Sequence, residues 1–287
     1  MGSVSHIAAD TRSPSRTLDG RMAVVTFLSD YGLGDDFVGV CHGVIARIAP
    51  QVRVIDVTHG IERQDVRAGA LVLRRTLEYM PVGVHLAVVD PGVGSARRAV
   101  ALRCGDADRL LVGPDNGLLW PAAQRFGGVA EAIDIGASKL RLDPVSASFH
   151  GRDIFAPVAA HLAAGTALAD AGEPLDPATL VALQLARAHV ADHRVVAHVL
   201  HVDVYGNVLL DAAPEDLAAA GLRRGEPAMV GRRRVQYAKT FADVGPGELL
   251  LYEDGYRALS LAVNRGSAMD ALRLAVDDEI VIRPAPS

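Results

Sequence analysis

The chain has 287 residues, half of them hydrophobic and 5% aromatic, enough to bury a sizeable core and to divide into two domains. A formal net charge of −5 supplies no basic field for nucleic acid or an anionic membrane, which leaves a small polar metabolite as the expected partner. Cys41 and Cys104 show neither a CxxC nor a zinc-like spacing, so they read as small buried hydrophobes in a reducing cytoplasm rather than a disulfide framework.

The first twenty residues carry no apolar core of signal-peptide length and read as a mobile tail, 1–20. No apolar run approaches the ~18 residues of a spanning helix. Beyond the tail, Met22–Leu28 reads as a buried strand that ends in Ser29-Asp30-Tyr31-Gly32. Phe37–Ile48 has helical spacing (Val40, Val44, Ile45, Ile48) and stops at Pro50. Val52–Val57 is a second strand, Asp65–Tyr79 a helix with Asp65 as N-cap, and Val84–Val89 a third strand running into Asp90. Val100–Arg103, Leu110–Val112 and Ala130–Ile135 are shorter strand candidates, and Ile154–Ala164 is an Ala-rich helix. Strands spaced by helices predict an α/β domain over 21–186, with a mostly parallel sheet flanked by helices.

The Gly-, Pro- and Asp-containing stretch Gly165–Pro177 reads as a linker. From Val195 the texture changes. Val195–Val204, Val208–Leu210, Ala228–Val230, Glu248–Leu251, Ala258–Val263 and Glu279–Arg283 are strand-like and joined by turns such as Tyr205-Gly206-Asn207. They predict a smaller, mainly antiparallel β domain over 190–287.

Two loops concentrate the chemistry: Asp90-Pro91-Gly92-Val93-Gly94-Ser95-Ala96-Arg97 and Ser148-Phe149-His150-Gly151-Arg152-Asp153. Together they offer a carboxylate, a guanidinium and an imidazole, enough to hold and activate a water. Gly92 and Gly94 let the first loop fold back so that Asp90 meets Arg97, although Arg98 competes for the inward position. The neighbours of His150 suggest an exposed site at a loop tip. Asp30, at a strand tip, can accept hydrogen bonds from a ribose diol or serve as a turn or cap. Asp56, Thr58 and His59 form either a metal or acid–base cluster or a strand-end hydrogen-bond network. Asp115-Asn116-Gly117 reads as a turn. The chain has no GxGxxG, P-loop, HExxH or Gly-x-Ser-x-Gly pattern, so these residues alone point to a water-activating or polar-ligand site with the substrate undetermined.

Ser29-Asp30-Tyr31-Gly32, Asp56-Val57-Thr58-His59, Asp90-Pro91-Gly92-Val93-Gly94, Gly113-Pro114-Asp115-Asn116-Gly117, Phe149-His150-Gly151-Arg152-Asp153, Tyr205-Gly206-Asn207 and Ala262-Val263-Asn264-Arg265-Gly266-Ser267-Ala268 occur in order. In this the chain resembles the S-adenosylmethionine hydroxide adenosyltransferases, hydrolytic relatives of the fluorinating and chlorinating enzymes, from about Val24 onward. The resemblance implies hydrolysis of S-adenosyl-L-methionine to adenosine and L-methionine, with Asp90, Arg97 and His150 holding the attacking water. It also implies that Asp30 binds the ribose hydroxyls, Asp203 and Asn207 the methionine amino group, and Tyr205 the adenine face. Asn264, Ser267 and Ala268 would lie along the adenine edge. Halogenating relatives look to carry Tyr where this chain has Asp90 and to lack the His150 imidazole. The chain departs from the family's pattern near Gly255, where a Ser for the methionine carboxylate is replaced by Glu253-Asp254-Gly255-Tyr256. A second departure is Gln64, where the fluorinating enzyme has a stacking Trp.

The same resemblance implies a cytoplasmic homotrimer with sites at subunit interfaces, no metal and no separate cofactor, the adenosyl compound being the substrate itself. Three other readings compete with hydrolysis. They are halide-dependent 5′-halogenation, a non-catalytic adenosine- or S-adenosylmethionine-binding protein, and a metal-dependent hydrolase using Asp56, His59 and His150.

Overall fold

In the computed structural model, which describes residues 24–106 and 108–286, the chain parts into two units between Leu183 and Gln184. The tail expected over 1–20 lies outside the described residues. No helix among the described residues is long and apolar enough to cross a membrane.

The first unit is organised by a run of β-branched and large apolar residues. β1 (Val24–Ser29) is buried along its whole length, and successive side chains supply opposite faces of one sheet. Val25 and Phe27 enter one core, while Leu28 enters the other. β2 (Arg53–Thr58), β3 (Val84–Val88), β4 (Ala99–Cys104), β5 (Leu110–Pro114), β6 (Val129–Asp134) and β7 (Glu173–Leu175) complete a seven-stranded sheet in the order β2-β1-β3-β5-β4-β6-β7. The pairs among β2, β1, β3 and β5 are parallel, and those of β4 with β5 and β6, and of β6 with β7, are antiparallel. The sheet is thus mostly parallel on one side, with an antiparallel edge.

α1 (Phe37–Ile48) and α4 (Ala156–Ala163) share the core with Val25 and Phe27, and α2 (Val66–Thr76) and α3 (Trp120–Arg125) share the opposite one. Burial of two apolar layers on one sheet is the main stabilising term. Asp65 caps α2 as its position predicts, its carboxylate accepting from the Ala68 amide at 2.8 Å. The helix ends at Thr76, and Leu77–Tyr79 tightens into a 3₁₀ turn. Burial pushes the Cys41 thiol up to about 12 and the Cys104 thiol to about 11, as inert core residues require.

The stretch 165–177 is not a linker. Leu168 and Ala171 are buried in a 3₁₀ turn, and β7 pairs Leu175 with Ala132 of β6. Pro174 is tolerated because β7 is the sheet edge, where a missing N–H breaks no inner ladder.

The second unit contains β8 (His189–Ala191), β9 (Arg194–Val202), β10 (Val208–Leu210), β11 (Pro227–Val230), β12 (Arg233–Tyr237), β13 (Leu249–Glu253), β14 (Leu259–Val263) and β15 (Glu279–Pro284). Their order is β10-β14-β13-β12-β11-β15-β9-β8, and β10 also pairs with β9, so the sheet closes into a small barrel. All pairs are antiparallel except β12 with β13. Arg233–Tyr237, whose charges mask an alternating pattern, forms β12; short helices α5 (Pro214–Ala219) and α6 (Ala268–Leu272) are also present.

Candidate active site

Asp90 stands two residues past the end of β3, where ligands of open α/β sheets bind. The loop after it closes by turns, with the Val93 amide donating to the Asp90 carbonyl at 3.2 Å and Ser95 to Gly92 at 3.0 Å. Gly94 has a φ of +76°, and a Cβ there would lie 2.5 Å from the Ala147 carbonyl oxygen. Glycine therefore lets the segment leading to His150 press against this loop.

The loop returns Arg97 to Asp90. Arg97 Nε donates to Asp90 Oδ1 at 2.9 Å and Oδ2 at 3.0 Å, and Nη2 donates to Oδ2 as well. The same Nη2 lies 2.9 Å from His150 Nδ1. A guanidinium only donates, so Nδ1 accepts and the ring proton sits on Nε2. Burial, followed by the Arg97 charge, holds His150 below its ordinary value, so the imidazole is neutral at pH 7. Arg97 and Asp90 side chains are only 10% and 7% exposed, and the guanidinium lies 5.1 Å over the Phe155 ring. The three groups form one hydrogen-bonded array.

His150 is half-buried at the start of a π turn over Gly151–Phe155, not at an exposed loop tip. Packing explains the difference. The Asp153 carboxylate is buried and receives the Ser146 amide at 2.8 Å and Arg152 Nε at 2.6 Å, which pins the segment on both sides of His150. Arg98 turns away from the array: it donates to Asp115 Oδ2 at 2.9 Å and to Thr179 Oγ1 at 3.0 Å. Asp115 also receives the Val181 amide, so the Asp115-Asn116-Gly117 turn is structural.

Asp90 and His150 line a cavity of about 450 Å³ together with Asp30, Tyr31, Phe37 and Gln64. Asp30 Oδ2 receives the Gln64 amide at 2.8 Å, and among the described residues no hydrogen bond reaches Oδ1. Tyr31, Phe37 and Phe149 pack at 5.1–5.9 Å between ring centroids and supply an apolar wall that residue chemistry alone did not single out. Their signal is the aromatic that flanks each polar motif.

The second unit holds its own cavity, about 650 Å³, lined by Asp203, Tyr205, Asn207, Ser267, Phe241 and Tyr252 among others. Asp203 organises its turn, accepting from the amides of Tyr205 at 2.9 Å and Asn207 at 3.0 Å and from Asn207 Nδ2 at 2.8 Å. Tyr205 is 75% exposed, an unusual position for a large aromatic ring. Ser267 Oγ caps α6 by accepting from the Asp270 amide. Asn264 and Ala268 do not line the cavity. Asn264 Nδ2 donates to the Val244 carbonyl, and Ala268 is buried with its amide on the Gly206 carbonyl.

Asp56 and His59 do converge, with His42 as the third member and without His150. A polar array at the carboxyl end of a parallel strand, beside an apolar-walled cleft with a free carboxylate oxygen, defines an α/β protein built to hold a polar small molecule and an activated water. Comparison with known proteins narrows this class. Residues 25–172 match the model of the SAM hydroxide adenosyltransferase N-terminal domain and residues 197–281 that of its C-terminal domain. The chain belongs to this family.

A protein of Salinispora tropica named (R)-S-adenosyl-L-methionine hydrolase is 50% identical over 258 residues, covering 89% of this chain and 96% of the relative. A Thermus thermophilus protein of the same name is 40% identical over 260 residues (88% and 96%). A fluorinase of Nocardia brasiliensis is 28% identical over 281 residues (88% and 93%). The crystal structure of an uncharacterized conserved protein from Thermotoga maritima superposes with a TM-score of 0.84 at 38% identity, covering 90% and 99% of the two chains.

Proposed function

We propose that this chain hydrolyses S-adenosyl-L-methionine to adenosine and L-methionine. Water attacks ribose C5′, the C5′–S bond breaks, and the electron pair leaves on sulfur as neutral methionine thioether. Because the leaving group needs no proton, catalysis reduces to presenting a desolvated oxygen in line with the C–S bond. The observation that carries this reading is the Asp90–Arg97–His150 array at the cleft. Arg97 stabilises developing hydroxide character, and the water's proton passes to the Asp90 carboxylate, because His150 Nδ1 already accepts from Arg97 and Nε2 carries its own proton.

A carboxylate at position 90 repels a halide and accepts hydrogen bonds from water, which favours hydrolysis over 5′-halogenation. Asp30 takes the ribose hydroxyls. The cavity of the second unit takes the rest of the substrate, with Asp203 and Asn207 toward the methionine amino group and Tyr205, Ser267, Asn264 and Ala268 toward adenine. Asn264 and Ala268 contribute through the backbone, since neither side chain lines that cavity. The chain works in the cytoplasm as a homotrimer, each site drawing on two subunits, and needs no separate cofactor because the sulfonium carries its own leaving group.

The Salinispora tropica and Thermus thermophilus relatives are named for the (R) form of S-adenosyl-L-methionine, so the test uses both sulfonium epimers. Each is incubated with the full chain and the products are separated by chromatography. Adenosine and methionine form in equal amounts, faster from the R epimer, and Asp90→Ala abolishes both. Absence of adenosine, with Asp90→Ala binding the substrate as tightly as the parent, would leave a binding protein instead.

A further inference from the structure

Outside the cleft, two imidazoles converge on one carboxylate oxygen. His42 Nε2, from α1, lies 2.8 Å from Asp56 Oδ1 on β2, and His59 Nε2, from the turn after β2, lies 3.1 Å from the same atom. The three candidate donor atoms fall within 4.8 Å of one another, and none of these residues lines the 450 Å³ cavity.

The His59 side chain is 2% exposed, yet its Nε2 makes no hydrogen bond of acceptable geometry. A polar atom that deep without a partner is costly and calls for an explanation. Its other nitrogen supplies one. His59 Nδ1 is 2.7 Å from Ser29 Oγ, and a cation at Nε2 would select the tautomer that donates Nδ1–H to that hydroxyl and turns the Nε2 lone pair toward Asp56. In that tautomer the Nε2 lone pair and the Asp56 carboxylate are two adjacent donors for a cation lying between them. A buried imidazole oriented through its far nitrogen is also the usual arrangement of a metal-bound histidine.

We infer that His42 Nε2, His59 Nε2 and Asp56 Oδ1 bind a divalent cation of the zinc type. Two imidazoles and one carboxylate suit Zn²⁺, with water from the exposed side of Asp56 as the fourth ligand. Donors around a tetrahedral zinc stand roughly 3.3 Å apart, so the two contacts to Asp56 Oδ1, at 2.8 and 3.1 Å, open by tenths of an ångström on loading, and the two imidazole nitrogens already lie within 4.8 Å of one another. The ion takes no part in the hydrolysis proposed above, and the inference does not rest on that reaction. Its effect is mechanical. The His59 carbonyl accepts the Gly32 amide at 2.7 Å and Ser29 precedes Asp30, so the ion locks α1 and β2 to the turn that carries Asp30.

The experiment is calorimetric titration of Zn²⁺ into the chelator-stripped full chain, repeated with Co²⁺ to read the visible absorption of the bound ion. Wild type takes one equivalent with a tetrahedral Co²⁺ spectrum. His42→Ala and Asp56→Asn lose that equivalent, and Ser29→Ala weakens it by about 10- to 100-fold. His193→Ala, on an exposed turn, leaves it intact. His42 is part-exposed on a helix, so its alanine variant folds, and circular dichroism without metal checks each variant. No equivalent in wild type, or equal affinity in His42→Ala and Asp56→Asn, would overturn the assignment.

Discussion

The Arg97 guanidinium bridges the Asp90 carboxylate and the Nδ1 lone pair of His150, donating to both from one planar fork. A lysine ammonium cannot span the two with the same geometry, since it is a point charge on a flexible stem. Arg97→Lys should therefore keep KM within a few-fold while kcat falls by about 10²-fold, the typical cost of removing one preorganised donor. Steady-state kinetics that show the loss in KM alone would place Arg97 in substrate binding.

The His150 contact fixes a pH dependence. Burial and the Arg97 charge hold the imidazole below its usual 6.5, so the folded protein keeps it neutral where the unfolded chain is already protonating. The stabilising contribution is full above about 6.5 and is lost as pH falls through the lower folded-state value. Protonation also sets an imidazolium against Arg97. The profile of kcat/KM should be flat above about pH 6.5 and fall on an acid limb lying below it. His150→Gln, which keeps an acceptor but cannot titrate there, should lose that limb.

Gly151 is required by Tyr31. A Cβ at this position would stand 2.1 Å from the phenol oxygen and 3.1 Å from the ring carbon that carries it. Gly151→Ala should destabilise the first unit by about 1–3 kcal/mol, the range for overpacking. Combining it with Tyr31→Phe removes the closer clash and should recover part of the loss, as measured by denaturant midpoint.

Much of this was legible in the sequence, for definable reasons. β1 and β3 are mostly apolar runs, interrupted inside only by Thr26 and His85, so their polar tips at Asp30 and Asp90 stand out. A fold-back from Asp90 to Arg97 needs only two glycines within seven residues. What failed to show depends on distant partners. Arg98 is excluded from the site by Asp115 and by Thr179, 81 residues away. His42 joins Asp56 only because α1 packs beside β2, and nothing in Val40–Ile48 marks it. β7 is hidden because Gly and Pro dominate its surroundings, although an edge strand accepts both.

In the second unit, Asp203 holds three donors of its own turn. Asp203→Ala should remove the side-chain acceptor of the Tyr205 and Asn207 amides, destabilise the unit by about 0.5–1.5 kcal/mol and raise KM more than it lowers kcat. Equal kcat and KM with lowered stability alone would confine Asp203 to a structural role.

In the proposed reaction, water held by Asp90, Arg97 and His150 attacks C5′. Turnover of S-adenosyl-L-methionine in ¹⁸O-labelled water, with chloride and fluoride present, followed by mass spectrometry of both products, tests it most directly. One ¹⁸O is expected in the 5′-hydroxyl of adenosine and none in methionine. Unlabelled adenosine, or a 5′-halo nucleoside in its place, would contradict it.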